Sequence, residues 1–251
     1  MQKTETQALT QADQKILAAR HAIDDLIKEG LIHSGMRIGL GTGSTAMPAV
    51  TRLAERISDG TLKGIRAVAT SFQTTIACEE LGIPVYSMNA REIGGALELA
   101  IDGADEISPE KKLIKGGGAA LLLEKIVAYN AERFVIVADE TKAVAHLGTK
   151  FALPVEVIPE ARTSVTAAIE RLGAKVAIRH GIRKAGPVIT DNGNIILDCL
   201  WQPTPDGKSP VDPEKAEDAL NGIVGVVENG FFAKKEPIVY VARANGSVEK
   251  R

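Results

Sequence analysis

Cysteine is almost absent from this 251-residue chain; Cys78 and Cys199 are the whole complement. Two thiols so far apart make neither a disulfide framework nor a metal-ligand spacing, and the expectation is a reduced, cytoplasmic protein. Histidine is scarce as well. The four histidines are scattered, with no H-x-x-x-H or H-x-H pair, so no metal centre is expected. Neither sign of charge is in excess: 30 basic against 32 acidic side chains give a net charge of −2. That balance leaves no basic footprint for a nucleic-acid partner and no charged tail. No apolar run reaches the ~18 residues needed to span a bilayer, so no membrane partner is expected either. The first ten residues are polar and lack the apolar centre of a signal peptide. Internal repeats and low-complexity segments are missing too.

What is present suits a globular chain: 45% apolar and 25% charged residues, with length enough for one large domain and a smaller companion. Ile16, Leu17, Ile23, Leu26 and Ile27 recur at helical spacing and predict a helix from Gln11 to Glu29. Arg37–Leu40 reads as a short buried strand running into the loop Gly39-Leu-Gly-Thr-Gly-Ser-Thr45, where Ser44 or Thr45 is placed to cap the next helix. Strands are expected at 65–69, 85–88, 97–101 and 134–138, with helices at 73–81 and 119–130 between them. The alternation predicts a mostly parallel sheet with helices on both faces, spanning residues 1–151 and 234–251. After Lys150 the pattern changes. Strands at 153–158, 175–179 and 223–227, helices at 163–172 and 212–221, and a hairpin over 189–197 follow one another. That is the β-α-β-β-α-β order of a compact α+β domain over residues 152–233.

The chemistry concentrates in two glycine loops. Asp102-Gly-Ala-Asp-Glu106 ends an apolar run, so Asp102 and Asp105 are expected at the carboxyl edge of the sheet, where α/β proteins bind ligands. An isolated acidic turn is more often a self-capped Asx turn, but Lys115-Gly-Gly-Gly118 follows closely. Three consecutive glycines are costly in backbone entropy unless something must approach the chain, and Lys115 offers positive charge to a developing oxyanion. Glu124 has Ala120, Leu121, Val127 and Ala128 at helical spacing, none able to pair with it. In such an apolar setting desolvation favours a general base, against the plainer alternative of a surface carboxylate. Lys125 beside it is expected to face solvent. Gly41-Thr-Gly-Ser-Thr-Ala46 also satisfies a dinucleotide-type expression, yet the second strand ends Val68-Ala-Thr-Ser71 without the acid that would hold a ribose. A monophosphate on the loop amides and on Thr42, Ser44 and Thr45 fits better. Lys142 and Lys15 read as solvated lysines when taken alone.

Together these segments resemble the A-type ribose-5-phosphate isomerases. The matching stretches are Gly39–Ala46, Thr70-Ser-Phe-Gln73, Asp102–Ile107, Lys115–Ala120 with Glu124-Lys125, Leu153–Pro159, Thr190–Asn194 and Gly225–Phe232. The resemblance implies a Rossmann-like domain plus a smaller ferredoxin-like α+β domain. It implies a cofactor-free homodimer or homotetramer of the pentose phosphate pathway, acting on a small sugar phosphate. By position, Glu124 resembles the proton-transferring base, and Asp102, Asp105 and Lys115 the groups that handle hydroxyls and carbonyl. Thr42, Gly43, Ser44 and Thr45 resemble the substrate-binding loop, and the resemblance implies that Gly103, Ala104, Gly116, Gly117 and Gly118 bind the substrate as well. Lys142 and Lys15 match substrate-contacting lysines. The chain departs from the pattern at Leu122 and Leu123, where members often carry a polar residue, and in a lengthened loop from Trp201 to Val211. A sugar-phosphate-sensing regulator would share this fold, but it would need a helix-turn-helix unit for which the short first helix leaves no room.

Overall fold

The computed structural model describes residues 8–205 and 211–251, and two compact units divide the chain. The first holds the chain up to Gly103, then Asn130–Thr141 and Pro237–Arg251; the second holds Ala104–Tyr129 and Lys142–Glu236.

The first unit is built on a six-stranded sheet. Its strands are β1 (Arg37–Leu40), β2 (Arg66–Ala69), β3 (Leu97–Asp102), β6 (Ala131–Asp139), β12 (Ile238–Ala242) and β13 (Val248–Lys250). They lie in the order β13-β12-β6-β3-β1-β2, all parallel except the antiparallel edge strand β13. Helix α1 (Gln11–Lys28) starts at a reciprocal capping box, Thr10 and Asp13 each bonding the other's backbone amide. Its stripe of Ala18, Ala22, Ile23 and Leu26 is buried with Ile38, Leu40, Leu99, Ile101, Val135 and Val137 of the sheet and with Val50 and Leu53 of α2 (Gly43–Ser58). Helix α3 (Phe72–Glu80) completes the unit. After β1 the chain steps to β2 on one side, and later to β3 on the other. That reversal makes the carboxyl ends of β1 and β3 a topological switch point, the usual ligand position in open α/β sheets.

The second unit carries the other elements. Strands β7 (Leu153–Val157), β8 (Ala174–Ile178), β9 (Ile195–Trp201) and β10 (Val226–Asn229) alternate with α5 (Arg162–Arg171) and α6 (Pro213–Asn221). The order β10-β7-β9-β8, antiparallel throughout, is the ferredoxin-like arrangement the sequence predicts. A small sheet joins β4 (Glu106–Ile107), β5 (Leu113–Ile114) and β11 (Phe231–Phe232). Helix α4 (Leu121–Tyr129) packs against β7 and β10.

The structure differs from the sequence reading in three places. Segments 104–129 and 142–151, expected with the parallel sheet, pack in the second unit, because β11 closes the β4–β5 hairpin and α4 lies on β7 and β10. Val85–Met88 is no strand; Val85 makes a single bridge to Ala67 before the chain turns away. The hairpin turn at Thr190–Asn194 is present, but its second arm runs on to Trp201. Trp201 is buried and its indole N–H donates to the Leu172 carbonyl; residues 206–210 of the expected long loop lie outside the described residues.

Candidate active site

In the first unit the parallel register of β1 and β3 sets Leu40 beside Ile101, so Gly41, just after β1, meets Asp102, the last residue of β3. The contact is close: a Cβ on Gly41 would lie 2.0 Å from Asp102 Oδ1, so only glycine fits. Asp102, 3% exposed, accepts from its own neighbour Gly103 N at 2.7 Å and from Thr42 N at 3.2 Å.

Thr42, rather than Ser44 or Thr45, is the N-cap of α2, and its hydroxyl makes no cap bond to the helix. It is taken up by a cluster of hydroxyls instead, 2.7 Å from Thr70 Oγ1, 2.7 Å from Ser71 Oγ and 3.1 Å from Thr74 Oγ1. Thr74 in turn donates to the Gly41 carbonyl at 2.8 Å. The end of β2 therefore braces the loop with hydroxyls, at the place where a dinucleotide site would need a carboxylate.

The first turn of α2 contains no acidic side chain, which leaves its amides and positive dipole end available to an anion. Ser44 is exposed, while Thr45 is buried and packs against Gly103. The Lys15 ammonium reaches across from α1 to donate to Ser44 Oγ at 3.0 Å, so this lysine is directed to the loop and not simply solvated. A groove of about 520 Å³ opens beside Lys15 and Ser44.

The second unit assembles a different group. The β4–β5 hairpin brings Asp105 alongside the triple glycine, with Asp105 N donating to Ile114 O at 2.8 Å and Gly117 N donating to Asp105 Oδ2 at 2.7 Å. Gly116 and Ala119 both have positive φ, +102° and +60°, and Ala119 N closes the turn onto the Gly116 carbonyl at 3.0 Å. For alanine that left-handed conformation stores strain, roughly 1 kcal/mol. Gly117 and Gly118 are exposed.

Lys115 and Glu124, in contrast, are buried, at 3% and 5% exposure, with Nζ 3.2 Å from Oε2. The partner that helical spacing could not supply comes from the glycine loop. Glu124 lies in the first turn of α4, where a carboxylate complements the positive end of the helix dipole. Lys142 ends a short 3₁₀ turn and is half-buried; the next residue, Ala143, bridges to Ile107 of the same hairpin. Leu122 and Leu123 are half-buried on α4.

Sequence reasoning misplaced Lys125. It is 4% exposed, 2.8 Å from Glu228 and 3.3 Å from Glu217, and donates to the Asn229 carbonyl at 2.7 Å. Phe232 lies close to both lysines, its ring centroid 5.4 Å from Lys115 Nζ and 4.9 Å from Lys125 Nζ, within cation–π range. Burial, followed by the nearby Glu217 carboxylate, pushes the Tyr129 hydroxyl well above the usual phenol range in the same network. The Lys125 partners Glu228, Asn229 and Phe232 all come from the Gly225–Phe232 stretch, about 100 residues away, and no local spacing signals the meeting. Among the described residues no three His, Cys, Asp or Glu side chains are grouped to hold a metal ion, and no helix is long and apolar enough to cross a membrane.

A Rossmann-like sheet with an anion-ready helix at its switch point, and a ferredoxin-like unit bearing a buried lysine–glutamate pair, define the class: an α/β enzyme for small anionic substrates. Comparison makes the family specific. The sequence model of ribose 5-phosphate isomerase A (phosphoriboisomerase A) matches residues 66–246, and the chain belongs to that family. Ribose-5-phosphate isomerase A of Treponema denticola is 60% identical over 231 residues, covering 92% of this chain and 95% of the relative. The Treponema pallidum protein of the same name is 54% identical over 238 residues, covering 95% and 92%. A solved D-ribose-5-phosphate isomerase in complex with phospho-erythronic acid superposes with a TM-score of 0.87 at 39% identity, covering 97% of this chain and 99% of its own. Ribose 5-phosphate isomerase A of Methanocaldococcus jannaschii follows at 0.85 and 39%, covering 96% and 100%.

Proposed function

We propose that this chain interconverts D-ribose 5-phosphate and D-ribulose 5-phosphate by proton transfer through an enediolate. The buried Lys115–Glu124 pair supports this reading most directly, because a carboxylate and an ammonium 3.2 Å apart and shielded from water are the two charges the reaction needs. Glu124 takes the C2 proton of the open-chain aldose, leaving an electron pair that delocalises onto the C1 oxygen. Lys115 stabilises that oxyanion. The protonated Glu124 then returns the proton to C1 as the C2 carbonyl forms, with a hydroxyl proton passing from O2 to O1. Asp102 and Asp105 handle ring opening and the hydroxyl proton. Thr42, Gly43, Ser44 and Thr45, with Lys15, hold the phosphate at the start of α2, while Gly103, Ala104, Gly116, Gly117, Gly118 and Lys142 contact the sugar. The relative solved with phospho-erythronic acid supports a sugar-phosphate ligand. A cytoplasmic homodimer or homotetramer in the non-oxidative pentose phosphate pathway completes the reading.

The test is formation of ribulose 5-phosphate from ribose 5-phosphate by the purified chain, with EDTA present and unphosphorylated ribose in parallel. Turnover of the phosphate and very poor turnover of ribose are expected, since binding of the remote phosphate positions the reacting carbons. No turnover, or equal turnover of both sugars, removes the reading.

A further inference from the structure

We infer that Arg179 is a positioning residue for the glycine loop, locking the Gly116–Gly117 peptide so that its N–H faces Asp105; the inference rests on the function proposed above. The observation is a peptide plane gripped at both ends. On one side Gly117 N donates to Asp105 Oδ2 at 2.7 Å. On the other, Arg179 Nη1 donates to the Gly116 carbonyl at 2.8 Å and to the Gly117 carbonyl at 3.0 Å.

The guanidinium is itself held. Its Nε donates to Asp198 Oδ2 at 3.0 Å and its Nη2 to Asp198 Oδ1, a fork-to-fork pair that fixes the plane of the arginine. Arg179 directly follows β8, where its N–H donates to Ile196 O and its carbonyl accepts from Val188 N; Asp198 lies within β9. The anchor is thus a rigid sheet, not another loop.

A lock is needed because of what surrounds that peptide. Three glycines offer no side-chain resistance to a peptide flip, and the loop already carries Ala119 in a left-handed conformation. A flip of the Gly116–Gly117 unit would turn the N–H away from Asp105 and shift Lys115, which immediately precedes it. Arginine suits the task and lysine does not: one planar group spans two adjacent carbonyls and a carboxylate at once. Arg179 touches no reacting atom; it acts through Asp105 and Lys115.

The experiment measures R179Q and D198N beside the wild type, by kinetics with ribose 5-phosphate and by amide hydrogen exchange of the 113–121 segment. A positioning role predicts a kcat lowered about 10–100-fold in R179Q, with KM changed much less, because small misplacements of reacting groups act on the chemical step. Exchange of the 113–121 amides should accelerate while the β6 amides keep wild-type rates, and D198N should show the same pattern more weakly. A kcat within about 2-fold of wild type in both variants, or exchange that rises equally across the whole second unit, overturns the inference. Should the wild type fail to turn over ribose 5-phosphate, the proposed function falls instead, and the exchange of 113–121 still decides whether Arg179 holds the loop.

Discussion

Glu124 is the side chain on which the chemistry turns. Gln keeps its size and its hydrogen bonding but cannot accept a proton, so Glu124→Gln should lower kcat by about 10²–10⁴-fold with little change in KM. Steady-state kinetics with ribose 5-phosphate decide it, and a near-normal kcat removes Glu124 from the mechanism. Two glycines give a sharper contrast, because the same substitution meets different neighbours. At Gly41 an added Cβ would lie 2.0 Å from Asp102 Oδ1 and 2.7 Å from Asp102 Cα, so backbone must move. Gly41→Ala should therefore destabilise the fold by about 1–3 kcal/mol or more, read as a lower urea midpoint. At Gly117 the nearest atoms are only the Asp105 carboxylate oxygens, at 2.7 and 3.0 Å, and the glycine is exposed. Gly117→Ala should fold with a near-normal midpoint and lose kcat, as Asp105 is pushed off its amide partner. Equal midpoints for the two variants would contradict this assignment. At this scale the sequence was legible where a residue type was anomalous for its place: a carboxylate in an apolar helix, an acid ending an apolar run, three glycines together. Lys125 and Arg179 were not legible. Their partners lie far along the chain, Glu228 103 residues after Lys125 and Gly116 63 residues before Arg179, and no local spacing encodes such a meeting.

At the scale of elements, α1 and α2 are joined by charge on their outer faces as well as by their apolar stripes. Arg52 pairs with Asp24 and Glu55, Arg56 with Asp24, and Arg20 with Glu55. For Asp24, partial burial works upward but is outweighed by hydrogen bonds from Arg52 and Arg56, which leave the carboxyl below its ordinary value. Hydrogen bonds from Arg20 and then Arg52 bring Glu55 to about 2. Both carboxylates thus bind protons less readily folded than unfolded. Their contribution is present above the unfolded pKa, about 4, and is lost as pH falls through the lower folded values. The double variant Asp24→Asn/Glu55→Gln should be less stable than wild type at neutral pH, with the gap closing between about pH 4 and 2. Urea midpoints across that range test it; a gap independent of pH would locate the effect in packing instead. Helices of this kind were the most readable elements, since α1 carries a periodic apolar stripe, although its capping box came to light only in the structure. The two-residue strands β4, β5 and β11 were not, because so short a strand shows no alternation and exists only through its partners.

At the scale of the whole molecule, the order of elements was readable and their grouping was not. The ferredoxin-like order of β7 to β10 follows from local patterns, whereas the allegiance of 104–129 and α4 depends on where β10 and β11 return, about 100 residues later. The activity of the intact chain offers a corresponding test that no single side chain provides. If the proton taken from C2 rests on Glu124, it has two fates, return to C1 or exchange with solvent. Glu124 is only 5% exposed, which slows exchange without forbidding it. Turnover of ribose 5-phosphate in D₂O should therefore give ribulose 5-phosphate with deuterium at C1 in part of the molecules and substrate-derived hydrogen in the rest. A hydride shift between C2 and C1, the route a metal-assisted isomerase takes, would leave that position free of solvent deuterium. Mass spectrometry and proton NMR of the product distinguish the two, and a parallel reaction with EDTA should proceed at the same rate. Product without any deuterium, formed at a rate that EDTA abolishes, would replace the enediolate with a hydride shift and leave Glu124 without its proton-transfer role.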